Sequence, residues 1–287
     1  MGKVDKKIGT SVQKQAVKRF VEGKASSLID SVTKESPLEI NVTAGSGADR
    51  KKEPIAITMR TPGQDIWLAL GFLYTEGLIH SYEDILHIER PTMTQGLSED
   101  QTVHIHLQPS VWLDEKSLKR HFYTTSSCGV CGKASLDLVR QQISYVLPSN
   151  SPSIQLEDLY QWPDRLRAAQ PIFAQTGSIH AAGLFSSSGD LIACCEDVGR
   201  HNALDKLIGE ALEQKTLPWS DQILLLSGRI SFELVQKALM AGVPIIAAVG
   251  APSSLAIELA DAHGMTLIGF VKKNSCNVYC GSQRIIA

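Results

Sequence analysis

Two cysteines three positions apart are the residues of this chain best suited to chemistry. Cys128 and Cys131 stand in the segment 126–132, which reads SSCGVCG, and Lys133 follows directly. Glycine and serine bring little apolar surface and raise the entropy cost of ordering a segment, so this composition is not typical of a packed core. A helical pattern starts just after the pair, and a helix N-terminus or a nearby cation lowers the pKa of a thiol. The segment therefore predicts sulfur or metal chemistry.

Three kinds of chemistry compete for this cysteine pair. Thiol–disulfide exchange also uses C-x-x-C, but in those proteins the motif is expected directly after a strand in a small domain. Structural zinc needs four ligands, and Cys276 and Cys280 would supply the other two from a distance well outside compact zinc-ribbon spacings. A zinc deaminase requires H-x-E followed by P-C-x-x-C, and neither is present, because Ala181 and Ala182 follow His180.

Length and composition narrow the class of protein. The 287 residues suffice for one large domain, or for a domain with a smaller lobe, and 43% apolar with 20% charged residues is typical of a soluble globular chain. A net charge of −2 gives no global field for nucleic acid. No apolar run is long enough to span a bilayer, and no secretory signal is visible. The six cysteines are expected to be reduced thiols, which favours a cytoplasmic protein.

The chain divides into three parts by pattern. Residues 1–34 are basic and predict a flexible extension. Residues 35–150 form a smaller β-rich lobe that ends in the C-x-x-C loop and its helix. In this lobe strands are predicted at 38–42 and 55–59, with their alternating apolar residues on one face, and a helix at 66–73. A turn-rich PSNSPS segment then leads into an α/β core at 151–287.

Two histidines on a predicted strand form a second candidate group. His104 and His106 alternate with Val103, Ile105 and Leu107, so both histidines lie on one face of a half-buried strand. Such a face is more often solvated than metal-binding, and we expect a solvated face here.

The C-terminal part alternates strands and helices. Apolar strands at 222–226, 243–249 and 265–271 alternate with helical patterns at 232–240 and 255–263, which predicts a largely parallel sheet covered on both faces. The turns SGR at 227–229 and GAPSS at 250–254 each open a helix, where backbone N–H groups favour an anion. The same glycines and prolines equally suit plain tight turns.

A dense polar cluster, EDVGRHN at 196–202, lies between a strand and a helix. Asp197 as a helix cap is the structural interpretation, but caps do not explain the whole cluster, so we favour a functional site. His180, in a separate segment of small residues, is a lone histidine of the kind that is usually structural.

Taken together, these segments resemble the formate dehydrogenase accessory protein family of FdhD-type sulfurtransferases, over about residues 35–280. The matching segments are MRTPG (59–63), LGFL (70–73), EG (76–77), SSCGVCG (126–132), HAA (180–182), EDVGRHNA (196–203), DK (205–206), SGR (227–229), APSSLA (251–256), GF (269–270) and NVY (277–279).

The resemblance implies a sulfur relay. A cysteine desulfurase passes sulfur to the accessory protein, which carries it as a persulfide to the molybdenum bis(molybdopterin guanine dinucleotide) cofactor of formate dehydrogenase. Cys128 matches the persulfide-forming cysteine, and Cys131 is a helper in release or transfer. The implied fold is a cytidine-deaminase-like three-layer α/β core without the zinc chemistry. No resident metal is expected, and a homodimer is compatible with the family.

The resemblance also implies the residues that bind the client cofactor. The matching stretch is Phe270, Val271, Lys272, Lys273, Asn274 and Ser275, with Arg229, Ser253 and His180 as secondary candidates. Lysines at 272 and 273 stand where arginine is common, which keeps the charge but loses bidentate geometry. TGS at 176–178 replaces a more usual TGG.

Overall fold

The computed structural model describes residues 11–89, 93–94, 97–98, 101–113 and 145–287. Its strands are β1 (Val12–Val21), β2 (Lys24–Thr33), β3 (Ser36–Ala44), β4 (Lys51–Arg60), β5 (Ile85–Glu89), β6 (Met93–Thr94), β7 (Leu97–Ser98), β8 (Thr102–Leu107), β9 (Ile154–Gln155), β10 (His180–Phe185), β11 (Leu191–Asp197), β12 (Ile223–Leu226), β13 (Ile245–Ala248), β14 (Thr266–Lys272), β15 (Ser275–Cys280) and β16 (Ile285–Ile286). Its α-helices are α1 (Asp65–Thr75), α2 (Leu156–Leu159), α3 (Trp162–Ala168), α4 (Pro171–Thr176), α5 (Arg200–Glu213), α6 (Phe232–Met240) and α7 (Ser254–Ala262).

A six-stranded sheet in the order β11-β10-β12-β13-β14-β15 forms the C-terminal part. The pairs β12–β13 and β13–β14 are parallel, and their near-continuous apolar sequences are buried, as expected for strands covered on both faces. The other three pairs are antiparallel. The alternation of strands and helices is therefore confirmed, but the sheet is mixed rather than largely parallel, because β15 returns through a short turn instead of a helical crossover.

Each face of this sheet has its own apolar cluster. One cluster takes Leu224 and Leu226 with the inner faces of α1, α5, α6 and α7. The other takes Ile223 and Leu225 with Leu159, Trp162 and Leu166 from α2 and α3. Successive residues of β12 thus point to opposite sides, as strand geometry requires. The sheet has helices on both faces, while the likeness to cytidine deaminases stays a prediction.

The predicted strands of the N-terminal lobe form a second sheet in the order β4-β3-β8-β5. Leu38, Ile40 and Val42 are at most 1% exposed on β3, which confirms that face. On β4, Ile55 is buried but Ile57 and Met59 are 55% and 48% exposed, so the apolar face of this strand is covered only in part. β4 lies at the edge of the sheet, where side chains remain in contact with solvent.

The basic N-terminal segment contains regular structure, while its flexibility stays a prediction. Residues 12–33 form a regular antiparallel hairpin of β1 and β2, paired from Val12 with Thr33 to Val21 with Lys24. Glu22 and Gly23 at the turn have φ values of 49° and 79°. Positive φ at both central residues suits a two-residue hairpin turn, because its twist matches that of the strands. This local turn signal, rather than apolar burial, explains the hairpin.

Helices α1 and α5 join the two parts of the chain at very short range. A Cβ atom on Gly71 would lie 1.8 Å from the backbone oxygen of Asp205, and one on Gly209 would lie 1.9 Å from that of Trp67. Glycine at both positions lets the two backbones touch. Since the larger apolar cluster also takes residues from both parts, the boundary at residue 150 stays a prediction. None of the helices described is long and apolar enough to span a membrane.

Candidate functional site

The turns singled out in the sequence meet at one edge of the six-stranded sheet. β12, β13 and β14 run in parallel, so their carboxyl ends share this edge. β10 runs the opposite way and begins there, where His180 pairs with Asp197 at the end of β11. In open α/β sheets, ligands bind outside the carboxyl ends of the strands. The topology therefore gathers four chain segments at one candidate site.

The turns after the parallel strands are joined through their backbones. The Gly250 N–H donates to the Gly228 carbonyl at 3.1 Å, and the Phe270 N–H donates to the Gly250 carbonyl at 3.0 Å. A Cβ atom on Gly250 would lie 2.8 Å from the Gly228 oxygen. Close backbone approach therefore explains glycine at position 250, as expected if this segment is a plain tight turn. The turns at 227–229 and 250–254, together with Phe270, form a hydrogen-bonded edge that we call the rim.

His180 stands against this rim. Its Nδ1 would lie 3.2 Å from a Cβ atom on Gly228, so the ring covers the SGR turn. The Ser227 hydroxyl accepts a hydrogen bond from the Ala181 N–H at 2.8 Å and ties β10 to the same turn. Burial, and then the positive charge of Arg200, lower the pKa of His180 from its ordinary value of 6.5. A neutral imidazole is thus favoured at this position.

A cavity of about 350 Å³ opens beside His180 and Ser227. Its remaining lining comes mainly from α3, α4 and the segment between α4 and β10, with the Arg167 guanidinium 5.4 Å from the centre of the Phe173 ring. A pocket of this size with apolar walls and a few polar groups is typical of small-ligand sites.

Arg200 lies at this site but is not among the cofactor-binding candidates named from the sequence. It is the first residue of α5, the fourteen-residue helix that starts at this edge. Its Nε is buried and has no hydrogen-bond partner among the residues that the structure describes. A helix N-terminus favours an anion, and the Arg200 guanidinium adds a fixed positive charge there. The sequence signal was its place in the polar cluster 196–202.

The two acids of that cluster have structural roles. Glu196 accepts hydrogen bonds from the N–H groups of Ile172 and Phe173, at 2.9 and 2.8 Å, at the start of α4. Asp197 is fully buried, and its carboxylate lies 2.7 Å from Lys206 Nζ. Of the polar cluster 196–202, the basic residues Arg200 and His201 therefore remain as candidates for a functional role.

His201 is the second of these basic residues. Its Nε2 lies 3.0 Å from Ser231 Oγ and 3.7 Å from a Glu233 carboxylate oxygen. This neighbouring histidine lowers the pKa of Glu233 from 4.5 to about 2. His201 thus has a carboxylate partner, unlike the Arg200 Nε.

The stretch 270–275 does not act as one surface. Phe270 has a left-handed φ of 53° and is 38% exposed beside the rim, whereas Val271 is 1% exposed and packs in the core. Lys272 pairs with Ser275 across the hairpin of β14 and β15. Lys273 and Asn274 form the turn and line a second cavity, of about 470 Å³, against α2 and α3. The exposed residues of this stretch therefore lie at two separate places, Phe270 beside the rim and Lys273 with Asn274 at the second cavity.

The other two candidates occupy the rim. Arg229 is exposed on the SGR turn. Ser253 is the N-cap of α7, where its hydroxyl accepts the Ala256 N–H at 3.3 Å. Together with His180, Phe270 and Arg200, they bring the basic and hydrogen-bonding groups of the site to the same sheet edge.

The cysteines are placed only in part. Cys128 and Cys131, with the helix predicted after them, lie outside the described residues. Cys276 packs with the apolar cluster on one face of the sheet and Cys280 with the cluster on the other, because the β14–β15 pairing shifts register between them. Burial raises the pKa of both thiols, to about 11 for Cys280. This placement of the two thiols does not favour the four-cysteine zinc hypothesis, which otherwise stays untested.

The chain is similar to known proteins over most of its length. Residues 33–286 match the model of the FdhD/NarQ family. Proteins named sulfur carrier protein FdhD are similar over nearly their whole lengths. The one from Streptomyces avermitilis is 46% identical over 282 residues, 97% of each chain. Those from Mycobacterium tuberculosis and Sulfolobus acidocaldarius are 47% and 40% identical, over 88% and 96% of this chain and 90% and 98% of theirs.

A solved structure shares the fold. It is named as that of a candidate formate dehydrogenase accessory protein from Desulfotalea psychrophila, has a TM-score of 0.72 and 23% identity, and covers 96% of this chain and 100% of its own. Because the family match spans most of the chain and the relatives are 40–47% identical over 88–97% of it, this protein belongs to the FdhD/NarQ family.

Proposed function

We propose that this protein is a sulfur carrier of formate dehydrogenase maturation, accepting sulfur on Cys128. The observation that carries the proposal is the name of its relatives, sulfur carrier protein FdhD, at 40–47% identity over nearly complete chains. The solved structure of the same fold is named as a candidate formate dehydrogenase accessory protein, which supports formate dehydrogenase as the recipient enzyme.

The acceptance step uses one cysteine and needs no external oxidant. The Cys128 thiolate attacks the outer sulfur of a cysteine persulfide on the donor, for which we propose a cysteine desulfurase. The donor S–S bond breaks, its cysteine leaves as a thiolate, and Cys128 holds the transferred sulfur as a persulfide. In delivery, an acceptor nucleophile takes the outer sulfur, the S–S bond breaks and Cys128 leaves as a thiolate. Cys131 assists either by sharing this transfer or by attacking the inner sulfur of the Cys128 persulfide, which forms a Cys128–Cys131 disulfide and releases the outer sulfur as hydrosulfide.

The client is molybdenum bis(molybdopterin guanine dinucleotide), and we propose that one of its guanine dinucleotide ends binds at the carboxyl edge of the sheet. Arg200, Arg229 and the N-terminus of α5 supply positive charge for phosphates. The cavity beside His180, about 350 Å³, lies next to them and is of the size that small ligands use. The proposed compartment is the cytoplasm, where free thiols stay reduced, and a homodimer stays a prediction.

Intact-mass measurement tests the carrier role. After incubation with a cysteine desulfurase and cysteine, we expect a protein mass increased by one sulfur atom and restored by reductant. The Cys128→Ser variant should lose the adduct. Cys276→Ser is the matched control and should keep it, because Cys276 lies against the apolar core. An adduct that survives Cys128→Ser, or none on the parent protein, would contradict the proposal.

A further inference from the structure

The histidine strand carries a second group of metal-ligand residues that the sulfur-carrier function leaves unused. In the pairing of β5 with β8, His87 lies opposite His106 and Glu89 lies opposite His104. Residues two apart on a strand face the same side, so all four side chains share one face of the sheet. The solvated face expected for His104 and His106 is wrong, since His104 is only 5% exposed.

Three of these side chains lie close enough to converge on one metal ion. The nearest ligand atoms of His87, Glu89 and His106 all lie within 4.8 Å of one another. His106 Nε2 is 3.1 Å from Glu89 Oε1. Two adjacent ligands, each about 2.1 Å from one metal ion and near a right angle, stand about this far apart. The imidazole rings of His87 and His106 lie nearly parallel, with centroids 3.9 Å apart, so both rings extend toward the same side.

The fourth residue positions the carboxylate. His104 Nδ1 lies 2.7 Å from Glu89 Oε1, and its Nε2 lies 2.7 Å from Thr43 Oγ1. Both ring nitrogens of His104 are therefore engaged, and the buried ring holds Glu89 in place. Metal ligands are commonly oriented by such outer hydrogen bonds, whose loss typically weakens metal affinity by roughly 10–100-fold. His104 is thus a positioning residue rather than a ligand.

One atom of the group lacks a hydrogen bond. His106 Nε2 is buried and lies 3.1 Å from Glu89 Oε1, but it makes no hydrogen bond of good geometry with any residue that the structure describes. A buried ring nitrogen without a hydrogen bond is costly, and a bound cation would satisfy it. The ion-pair contact with Glu89 compensates this nitrogen only in part.

We infer that His87, Glu89 and His106 bind a divalent transition-metal ion. Two imidazoles and one carboxylate form the ligand set that proteins use for zinc and for ferrous iron, with positions left open for water or another ligand. Because His87 and Glu89 are exposed, an ion there would be reached from solvent. The inference does not rest on the proposed role of Cys128.

Calorimetric titration with Zn²⁺ tests this inference. The full chain carrying Cys128→Ser and Cys131→Ser, stripped by a chelator, should bind one equivalent of Zn²⁺. Each of His87→Ala, Glu89→Gln and His106→Ala should weaken binding by roughly tenfold or more. His80→Ala is the matched control, since it removes an exposed histidine from outside the group and should leave binding unchanged.

Two further measurements keep the result decisive. Thermal unfolding of each metal-free variant checks that it folds, and Zn²⁺ should raise the midpoint only where the three ligands are intact. Co²⁺ in place of Zn²⁺ should give an absorption spectrum without thiolate charge-transfer bands. No saturable binding, thiolate bands, or equal affinity in the folded ligand variants would overturn the inference.

Discussion

At the scale of single residues, the cationic side chains of this protein differ in whether their buried nitrogen atoms have partners. Lys206 Nζ lies 2.7 Å from the Asp197 carboxylate, and Lys237 Nζ lies 2.9 Å from that of Asp205. Such pairs hold elements together, because either charge alone would be costly to bury. The Arg200 Nε has no hydrogen-bond partner among the described residues and lies at a helix N-terminus. This difference marks Arg200 as a group available to a ligand.

The first prediction follows from the proposed function and concerns Arg200→Gln. A hydrogen bond to a charged group contributes about 1.5–3 kcal/mol, so the affinity for guanosine diphosphate should fall roughly 10–100-fold. Isothermal titration calorimetry measures it. Arg200→Lys, which keeps the charge but loses the planar donors, should be intermediate.

Arg19→Gln is the control for this loss, since Arg19 is an exposed arginine on β1. If Arg200→Gln binds the nucleotide as tightly as the parent protein, the sheet edge is not the nucleotide site.

At the scale of elements, the contact of α1 with α5 links the two sheets. Gly71 and Gly209 allow backbone contact, and Thr75 at the end of α1 donates from its hydroxyl to Asp205 on α5 at 2.9 Å. Lys237 on α6 donates to the same aspartate. Burial raises the pKa of Asp205, while the Lys237 charge opposes that rise. The contact positions α5, and therefore Arg200 at its first turn.

The second prediction concerns Gly71→Ala at this contact. The added methyl group would meet the backbone of Asp205 at 1.8 Å, and a helix backbone cannot shift cheaply. Overpacking of this kind typically costs about 1–3 kcal/mol, which exceeds the gain of about 1 kcal/mol from the better helix propensity of alanine. Urea unfolding should show a lower free energy of unfolding.

Ala262→Gly is the matched control, because it changes the same methyl group at an exposed helix position. Its cost should not exceed about 1 kcal/mol. A Gly71→Ala protein as stable as the parent would show that α1 and α5 can move apart without cost and that their close contact does not stabilise the protein.

At the scale of the whole molecule, one apolar cluster spans both parts of the chain. Leu38 and Leu70 from the N-terminal part share it with Leu207, Leu234 and Leu267 from the C-terminal part. Since each part completes the core of the other, we expect the two sheets to lose structure together. The division at residue 150 rests on a change of pattern along the chain and stays a prediction.

The third prediction tests this cooperation with Leu70→Ala. Leu70 is fully buried, and such truncations cost about 2–5 kcal/mol. Hydrogen exchange followed by mass spectrometry should show faster exchange in both β3 and β12, although Leu70 lies on α1. Leu86→Ala, at an exposed position of β5, is the control and should change neither strand. Faster exchange confined to β3 would mean that the two parts unfold independently.

Local pattern alone determined much of this protein. The apolar alternation of β3, the spacing of α1 and the strand–helix order after residue 200 were readable because each element buries one face with its own period. The ordered motifs also identified the family, which the comparison confirmed. The hairpin of β1 and β2 was missed because its signal is a turn residue, Gly23, and its strands bury little.

Only the tertiary structure decided which residues stand together. Cys276 and Cys280 are four positions apart in sequence, yet a register shift places them on opposite faces of the sheet. Glu196 proved to be bound to the start of α4, while Arg200, three residues after Asp197, kept its Nε unpaired. Hydrogen bonds and charge pairs join residues distant in sequence, so side-chain partners follow from packing and not from spacing.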